Sequence, residues 1–322
     1  MSATAQPPSL CTWNVMRLVK ASGDNRDGQQ LVKVMSKLLP VQPDLLAVQE
    51  THFYCYSKKS GNGLEVRHAL AAGLLPGYSF YHSECGRTEC GFYVRDGSPF
   101  ACGTLWPRAK LPWDRFGKFA VYECRHGVVV NVHLPTPTIK QVVDGWKGAP
   151  PAPDVSDDFR GWQLRGQLDG ELYELVRSLG TRLLAVLGDF NVTHTANDAA
   201  QPMSGRRYAD ATTRFDRLIR DNALIDVWRQ QHPDTRQYTS FQNRGGSRFT
   251  PPDGRVDYCL MPKRWAAKVQ SANIMEKEEM NGNEKSILSD HVPVVVSMMT
   301  SASELDGGHN GGGSDMGGRV FC

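Results

Sequence analysis

Short apolar runs, separated by polar and glycine-containing segments, recur along the first 300 residues of the sequence. Several runs are continuously apolar rather than alternating, which is typical of strands that are covered on both faces. The pattern predicts strands at Leu10–Trp13, Leu45–Val48, Gly91–Val94, Val128–Val132, Leu183–Leu187, Val256–Met261 and Val292–Met298.

Apolar residues at helical spacing predict helices between these strands, at Gln30–Leu39, Glu171–Leu179 and Thr213–Leu224. Gly180 directly follows the second of them and predicts its C-terminal cap. Helices that alternate with doubly covered strands indicate a layered α/β domain.

The remaining segments predict loops and ends. Trp146–Phe159 is rich in Pro and Asp, which predicts a surface loop. Glycine and serine dominate residues 300–322, so we expect a flexible tail there, and residues 1–8 are expected to be a flexible N-terminus. The folded body is therefore expected to span residues 9–299.

Composition narrows the class of protein. With 40% hydrophobic and 22% charged residues among 322, the chain can bury a sizeable core, and disorder as its main state is excluded. No apolar run reaches the ~20 residues that span a bilayer, and the N-terminus lacks the basic start and apolar core of a signal peptide. The eight cysteines contain no CxxC pair, which indicates reduced thiols. We expect an intracellular protein, with the nucleus as an open alternative, that is neither secreted nor bound to a membrane.

Polar residues capable of chemistry stand at the ends of the predicted strands. They are Asn14, Gln49, Glu50, His133, Asp189, Asn191, Asp257, Ser289, Asp290 and His291. One Asp or Asn after a strand is usually a turn former or helix cap, and one His there is usually structural. Independent turn formers would not follow one apolar run after another, so the joint pattern favours a shared pocket.

The residue types in this pocket predict metal-assisted hydrolysis of a phosphoester. Glu50 and Asp290, with the amide oxygen of Asn14, offer hard oxygen ligands for Mg²⁺, with Mn²⁺ as an alternative. A carboxylate such as Asp257 could orient His291 for phosphate binding or proton transfer. Asp189 could activate an attacking water. Zinc is disfavoured, because no cluster of Cys and His accompanies Cys85 and Cys90.

Six motifs resemble the endonuclease/exonuclease/phosphatase superfamily, which includes exonuclease III, abasic-site endonucleases, deoxyribonuclease I and the endonuclease domains of LINE-type retrotransposons. They are TWNVMRL, LLAVQETHF, VVNVHLPTP, LAVLGDFNVTH, GRVDYCL and LSDHVPVVV, in the family's order, from Leu10 to Met298. The resemblance implies a four-layer α/β sandwich with two mixed β-sheets packed face to face and helices outside. It also implies one domain, because Asn14 and Asp290 must share one pocket.

The resemblance also implies roles for the pocket residues. Asn14, Glu50 and Asp290 form the metal neighbourhood, with Gln49 and Thr51 supporting Glu50. Asp189 positions or deprotonates the attacking water, and Asn191 contacts the phosphate. His291 binds the scissile phosphate while Asp257 holds its ring. His133 steadies the phosphate or protonates the leaving oxygen.

Two positions depart from the abasic-site enzymes. Met16 stands where those enzymes carry an Asp near the metal, so a lower metal affinity or a different choice of metal is expected. Gly254 precedes Arg255 where animal abasic-site enzymes carry a Trp, whereas retrotransposon endonucleases have a small residue there. The segment Ala223–Phe241 also resembles the retrotransposon type, but NVTH at 191–194 leans toward the abasic-site group.

Substrate contacts are expected from basic residues in predicted loops beside the site, namely Arg206, Arg207, Arg244 and Arg248. Thr239 is included as a contact, although its segment also fits a strand with core aromatics, namely Tyr238 and Phe241. Positive charge beside the site suits a protein that binds the phosphate backbone of DNA.

The leading hypothesis is a monomeric, divalent-metal-dependent DNA endonuclease that nicks one strand and leaves a 3′-hydroxyl. It is most like a retrotransposon endonuclease, with a reverse transcriptase region linked to it in the parent element. The alternatives are an abasic-site repair endonuclease with exonuclease activity, and a phosphatase or phosphodiesterase for inositol phosphates, lipids or RNA. A binding module that has lost catalysis is the least favoured alternative, because only Met16 departs from the expected metal-site residues.

Overall fold

The computed structural model describes residues 8–15, 36–38, 41–51, 73, 75–82, 90–111, 114, 117–136, 157–200, 206–241, 252–277 and 289–299. Several predictions fall outside these residues. They are the termini at 1–7 and 300–322, most of the helix at 30–39, most of the loop at 146–159, and the positions Met16, Arg244 and Arg248.

Two six-stranded sheets and a two-stranded ribbon are built from β-strands along the described chain. The strands are β1 Ser9–Asn14, β2 Leu45–Gln49, β3 Tyr78–His82, β4 Cys90–Arg95, β5 Thr104–Leu105, β6 Phe119–Cys124, β7 Gly127–His133, β8 Leu183–Asp189, β9 Leu224–Asp226, β10 Ser240–Phe241, β11 Pro252–Gly254, β12 Asp257–Pro262, β13 Val269–Ile274 and β14 Val294–Met298. The α-helices are α1 Asp157–Leu179, α2 Arg206–Asp221, α3 Val227–Gln231 and α4 Lys263–Ala266, and short 3₁₀ turns lie at Arg108–Lys110, Gly180–Arg182 and Ala196–Asp198.

The two sheets have the same plan. The first has the order β13-β14-β1-β2-β4-β3 and the second the order β5-β6-β7-β8-β12-β9. Each contains one parallel pair near its middle, β1 with β2 and β7 with β8, and its other pairings are antiparallel. Both sheets are therefore mixed, as the family resemblance implied.

Burial explains why the central strands are continuously apolar. Every residue of β1, β2, β8 and β12 is buried. One core cluster joins the facing surfaces of the sheets, with Ala47 and Phe92 on one side and Val129 and Leu187 on the other. A second cluster packs the outer face of the second sheet against helices α1 and α2. The predicted sandwich of two sheets with helices outside is confirmed.

All seven predicted strands are present within a few residues of their predicted bounds. The strands that the pattern missed include β3 and β13, at the edges of the first sheet, and β6 beside the edge strand β5. Exposed residues interrupt the buried ones in β3 and β13. A continuous apolar run therefore marks the interior of a sheet and overlooks its margins.

Two of the three predicted helices fall on described residues, and both predictions were right in place and wrong at their starts. Helix α1 begins at Asp157 rather than Glu171, so residues 157–159 are helical and not part of the predicted loop. Helix α2 begins at Arg206 rather than Thr213, and Leu224 belongs to β9. The first turns of both helices are rich in polar residues, so the spacing of apolar residues does not show where the helices begin. Gly180 has φ +51° directly after α1, which confirms the predicted helix end.

Among the residues described, no helix is both long enough and apolar enough to cross a membrane.

Candidate active site

The site lies where the two parallel strand pairs end. In the first sheet the last residue of β1, Asn14, is in register with Gln49 at the end of β2. In the second sheet the last residue of β7, His133, is in register with Asp189 at the end of β8. Because the two sheets pack face to face, both pairs of carboxyl ends meet, and Nδ2 of Asn14 reaches Oδ2 of Asp189 at 2.9 Å.

Antiparallel strands deliver the remaining residues to the same edge. Asp257, the first residue of β12, is in register with Asp189. Residues 289–291 come shortly before β14, which runs antiparallel to β1. The sequence prediction that strand ends from both halves of the chain converge is therefore supported by the topology.

Asp189 lies at the centre of the pocket and is held on both carboxylate oxygens. Nδ2 of Asn14 donates to its Oδ2 atom at 2.9 Å, and the backbone N–H of Asn191 donates to its Oδ1 atom at 2.8 Å. Burial and the nearby charge of Asp257 raise the pKa of Asp189 to about 6, against the opposing effect of His291. A buried carboxylate with a pKa raised in this way can accept a proton near neutral pH.

The backbone around Asp189 requires particular residues. Gly188 has φ +141°, and a Cβ atom there would lie 2.0 Å from the carbonyl oxygen of Val132. Asn191 has φ +48°, a left-handed conformation that asparagine tolerates well. The GDFN motif is therefore a close strand contact followed by a tight turn.

Asn191 supports the carboxylate with its side chain as well as its backbone. Its Nδ2 atom donates to Oδ2 of Asp189 at 3.1 Å and to the carbonyl of Leu134 at 2.8 Å. The structure thus places Asn191 as a support for Asp189. Its contact with a phosphate stays a prediction.

His291 and Asp257 form a buried pair. Nδ1 of His291 lies 2.8 Å from Oδ2 of Asp257, a residue with no solvent exposure. Burial alone would lower the pKa of His291, but the charge and hydrogen bond of Asp257 raise it well above its ordinary value. The imidazole is therefore held as a cation, with Nε2 on the side of Asp189 at 4.0 Å from Oδ2.

The backbone of His291 is also fixed. Its N–H donates to Oγ of Ser289 at 3.0 Å, and Oγ of Ser289 donates to the carbonyl of Asn14 at 2.7 Å. Nε1 of Trp13 donates to the His291 carbonyl at 3.1 Å. The end of β1 thus positions the ring of His291 as well as Asn14.

His133 faces Glu50 across the two sheets. Its Nε2 atom lies 3.6 Å from Oε1 of Glu50 and 4.0 Å from Oδ2 of Asp189. Glu50 has φ +55°, and its Oε1 atom accepts a hydrogen bond from Nδ2 of Asn14 at 3.2 Å. Residues from both sheets therefore share one hydrogen-bonding and electrostatic system.

The donor set fits a divalent cation. Burial raises the pKa of Asp290, and the charge of Glu50 raises it further, so these two carboxylates are close enough to repel. Single donor atoms of Asp189, Asp257 and His291 lie within 4.8 Å of one another. Oδ1 of Asp257 is buried and has no hydrogen-bond partner in the described chain. This group of three residues adjoins the predicted set of Asn14, Glu50 and Asp290 and differs from it, and its carboxylate oxygens can hold a divalent cation.

Thr239 does not lie where the sequence prediction put it. Its side chain has no exposure, and its Oγ1 atom accepts hydrogen bonds from the backbone N–H groups of Val256 at 3.0 Å and Asp257 at 3.1 Å. The prediction that its side chain contacts substrate is therefore wrong in this structure. Thr239 instead supports the backbone that carries Asp257.

The four arginines that were predicted to contact DNA are described only in part. Arg206 and Arg207 are the first two residues of helix α2, so their assignment to a loop was wrong. Their side chains, and Arg244 and Arg248 altogether, lie outside what the structure describes. DNA contact by these four residues remains a prediction.

Sequence reasoning missed a buried ionic cluster that holds the loop after Asp189. Nε of Arg255 donates to Asp198 at 2.7 Å, and its Nη2 atom donates to Asp226 at 2.6 Å. Arg229 also pairs with Asp198. A buried Arg beside Asp257 was visible in the motif GRVDYCL, but its acidic partners were too distant in sequence to be assigned.

Comparison with known proteins places this geometry in a family context. The model of the Endonuclease/Exonuclease/phosphatase family matches residues 11–291. An exodeoxyribonuclease of Streptococcus pneumoniae is 24% identical over 299 residues, which cover 89% of this chain and 98% of that protein.

Solved structures have the same fold. The 3′ phosphatase NExo from Neisseria, in a variant bound to a product DNA hairpin, has a TM-score of 0.63 and 22% identity, with 92% of this chain and 100% of that chain covered. An AP endonuclease from Archaeoglobus fulgidus has a TM-score of 0.63 and 19% identity, with 91% and 100% covered.

Proposed function

Because the chain belongs to the endonuclease/exonuclease/phosphatase family, we propose that it is a divalent-metal-dependent endonuclease that nicks one strand of DNA and leaves a 3′-hydroxyl. The observation that carries the proposal is the placement of Asp189 between the His291–Asp257 pair and His133. A carboxylate base, a cationic imidazole and a second imidazole then face one small volume.

Asp189 orients the attacking water and accepts its proton. Asn14 and the backbone of Asn191 fix the carboxylate, so its remaining lone pairs are directed without rearrangement. Its raised pKa brings its basicity closer to neutral pH, where transfer from a water is more favourable.

His291 stabilises the charge that develops on the scissile phosphate. Asp257 keeps the ring protonated and occupies Nδ1, which leaves the Nε2–H group to donate to a phosphate oxygen. Such preorganised donors are among the largest contributions to catalysis of charge-developing reactions.

His133 is placed to serve the leaving oxygen. Its Nε2 atom faces both Glu50 and Asp189, so the ring nitrogen that can give up a proton points into the same volume as the base. Mg²⁺ or Mn²⁺ held near Glu50, Asp290 and Asn14 would neutralise charge on the phosphate. The family places the cleaved bond in a phosphoester, and the side chains supply the acid and base.

DNA as the substrate is supported by the relatives. One is an exodeoxyribonuclease, and one structure of the same fold holds a DNA hairpin. Gly254 supports cleavage of intact rather than baseless DNA, because it is buried and provides no aromatic wall. We therefore extend the proposal to nicking of the retrotransposon type. We also propose that the protein acts as a monomer and that a reverse transcriptase region is linked to it in its parent element.

A second candidate is an abasic-site endonuclease with exonuclease activity. The names of the relatives favour it, since they include an exodeoxyribonuclease and an AP endonuclease. The NVTH segment also favours it. In that segment the N–H group of His194 donates to the hydroxyl of Tyr258 at 3.0 Å, which fixes the loop beside Asp189.

Cleavage of matched duplex oligonucleotides separates the candidates. One duplex is intact, one carries a single baseless site and one carries a 3′ phosphate, each assayed with Mg²⁺ and with Mn²⁺. Internal nicking of the intact duplex at a rate similar to the abasic duplex supports the retrotransposon type. Cleavage confined to the abasic site or the 3′ end supports the second candidate, and hydrolysis of none contradicts both.

A further inference from the structure

A polar bridge crosses the interface between the two sheets directly beneath the candidate active site. Nδ2 of Asn131 in β7 donates to the carbonyl of Val48 in β2 at 3.0 Å and to the carbonyl of Gly91 in β4 at 2.8 Å. Its Oδ1 atom accepts from Nε2 of Gln49 at 2.7 Å, and the same nitrogen donates to Oγ1 of Thr12 at 3.0 Å. One side chain of the second sheet thus binds two strands of the first.

Polar side chains are unusual at this depth between the sheets. Asn131, Gln49 and Thr12 have no solvent exposure, and the surrounding inter-sheet layer is mostly apolar. Buried amides require hydrogen bonds, and a pair of apolar side chains of similar shape can replace them at little cost in stability. Stability alone therefore does not explain why polar residues occupy this position.

The position of the bridge suggests its purpose. Asn131 is two residues before His133 on the same strand, and Gln49 directly precedes Glu50. These two neighbours belong to different sheets, yet their side chains approach to 3.6 Å. Apolar packing has no directional preference that would fix such a distance, whereas three hydrogen bonds from one amide do.

We propose that Asn131 is a positioning residue, which fixes the end of β7 over β2 and thereby sets the separation of His133 from Glu50. The inference rests on the proposed function, since it assigns Asn131 to the hydrolytic reaction. It acts through His133 and touches no reacting atom. The sequence signal was the Asn of VVNVH, an amide inside an otherwise apolar strand.

The test compares Asn131→Leu with the double variant Gln49→Leu/Asn131→Leu. The single change removes the acceptor of the Gln49 amide, whereas the double change removes that amide as well. Asp44→Asn is the matched control. Asp44 is a buried polar residue that accepts from the Ser9 backbone at 2.8 Å, before the start of β2 and far from the site. Thermal unfolding, kcat and KM for duplex nicking, and crystal structures are measured for all of them.

We expect the double variant to unfold near the native temperature, with kcat lowered about 100-fold and KM within about twofold, the size of effect expected from a displacement of about 1 Å. Asp44→Asn should retain kcat. A double variant that is folded and has native kcat would overturn the proposal, as would an equal loss of kcat in Asp44→Asn. If the native protein hydrolyses no DNA, the proposed function fails, and the crystal structures still decide: unchanged Glu50–His133 separation in the variants contradicts the positioning role.

Discussion

Nε2 of His291 lies 4.0 Å from Oδ2 of Asp189, although the two residues are 102 positions apart in sequence and adjoin different sheets. The separation is too long for a direct hydrogen bond and short enough for one oxygen atom to contact both groups. Because Asp257 raises the pKa of His291 and burial raises that of Asp189 to about 6, the pair offers a protonated donor and a carboxylate base to the same substrate atom near neutral pH.

Replacing Asp189 with Asn should abolish catalysis and leave the fold intact. The amide keeps the shape of the carboxylate but cannot accept a proton, so kcat for nicking should fall by about 1,000-fold or more. Burial of the charge is removed at the same time, so thermal unfolding should change little. Asp234→Asn, at an exposed position, is the control. A variant with more than a tenth of native kcat would show that Asp189 is not the base.

His291→Gln and Asp257→Asn should lose activity together rather than independently. The hydrogen bond of 2.8 Å to the His291 ring is the main action proposed for Asp257, so the double variant should be about as slow as His291→Gln alone. The measurement is a double-mutant cycle on kcat/KM. Losses that multiply would contradict a shared role and indicate that Asp257 acts on the substrate directly.

Gly188→Ala should destabilise the protein severely, because the new Cβ atom would lie 2.0 Å from the backbone of Val132 and the residue has φ +141°. A loss of about 3 kcal/mol or more in the free energy of unfolding is expected from strain of this kind. Gly166→Ala is the matched control. Gly166 lies within helix α1 with open space around its Cα, so alanine should stabilise by about 0.5–1 kcal/mol. Urea unfolding of both variants checks the contrast, and equal effects would contradict it.

The pairing of Asp198 should make stability fall in acid. Burial alone would raise its pKa, but Arg255 and Arg229 lower it below the ordinary value of 3.8. The unfolded chain therefore takes up a proton first as pH falls, so the contribution of Asp198 is complete above about pH 4 and is lost below it.

This acid effect is measured as the difference in unfolding free energy between the native protein and Asp198→Asn. At pH 7 the difference should be about 3–5 kcal/mol, because the variant removes the buried carboxylate that Arg229 and Arg255 share and leaves Arg255 with Asp226 alone. The difference should shrink as pH falls below about 4. A difference that stays constant down to pH 3 would show that the pairing does not depress the carboxyl pKa.

The sequence predicts the interior of this fold well and its margins poorly. Continuous apolar runs mark β1, β2, β8 and β12 because both faces of those strands are buried. Edge strands such as β13 expose part of one face, so their pattern is mixed. Helix α1 begins well before its apolar spacing becomes clear, because its first turns carry polar residues and glycines.

The candidate site shows a similar division. Residues that stand at strand ends, such as Asn14, Glu50 and Asp189, are visible because the strand marks where the side chain must lie. The partners of supports that act across the sheets are not visible, because Asn131 and its partner Gln49 are separated by 82 positions. Thr239 was misassigned for the related reason that a hydroxyl in a loop gives no sign of whether it faces solvent or a neighbouring backbone.

The central claim is tested most directly by treating supercoiled plasmid with the native protein and with Asp189→Asn in Mg²⁺, then adding DNA ligase to the products. We predict that the native protein converts the plasmid to the nicked circle, that ligase reseals the nicks because they carry a 3′-hydroxyl and a 5′-phosphate, and that Asp189→Asn leaves the plasmid supercoiled. Intact plasmid after treatment with the native protein, or equal nicking by Asp189→Asn, would contradict the account.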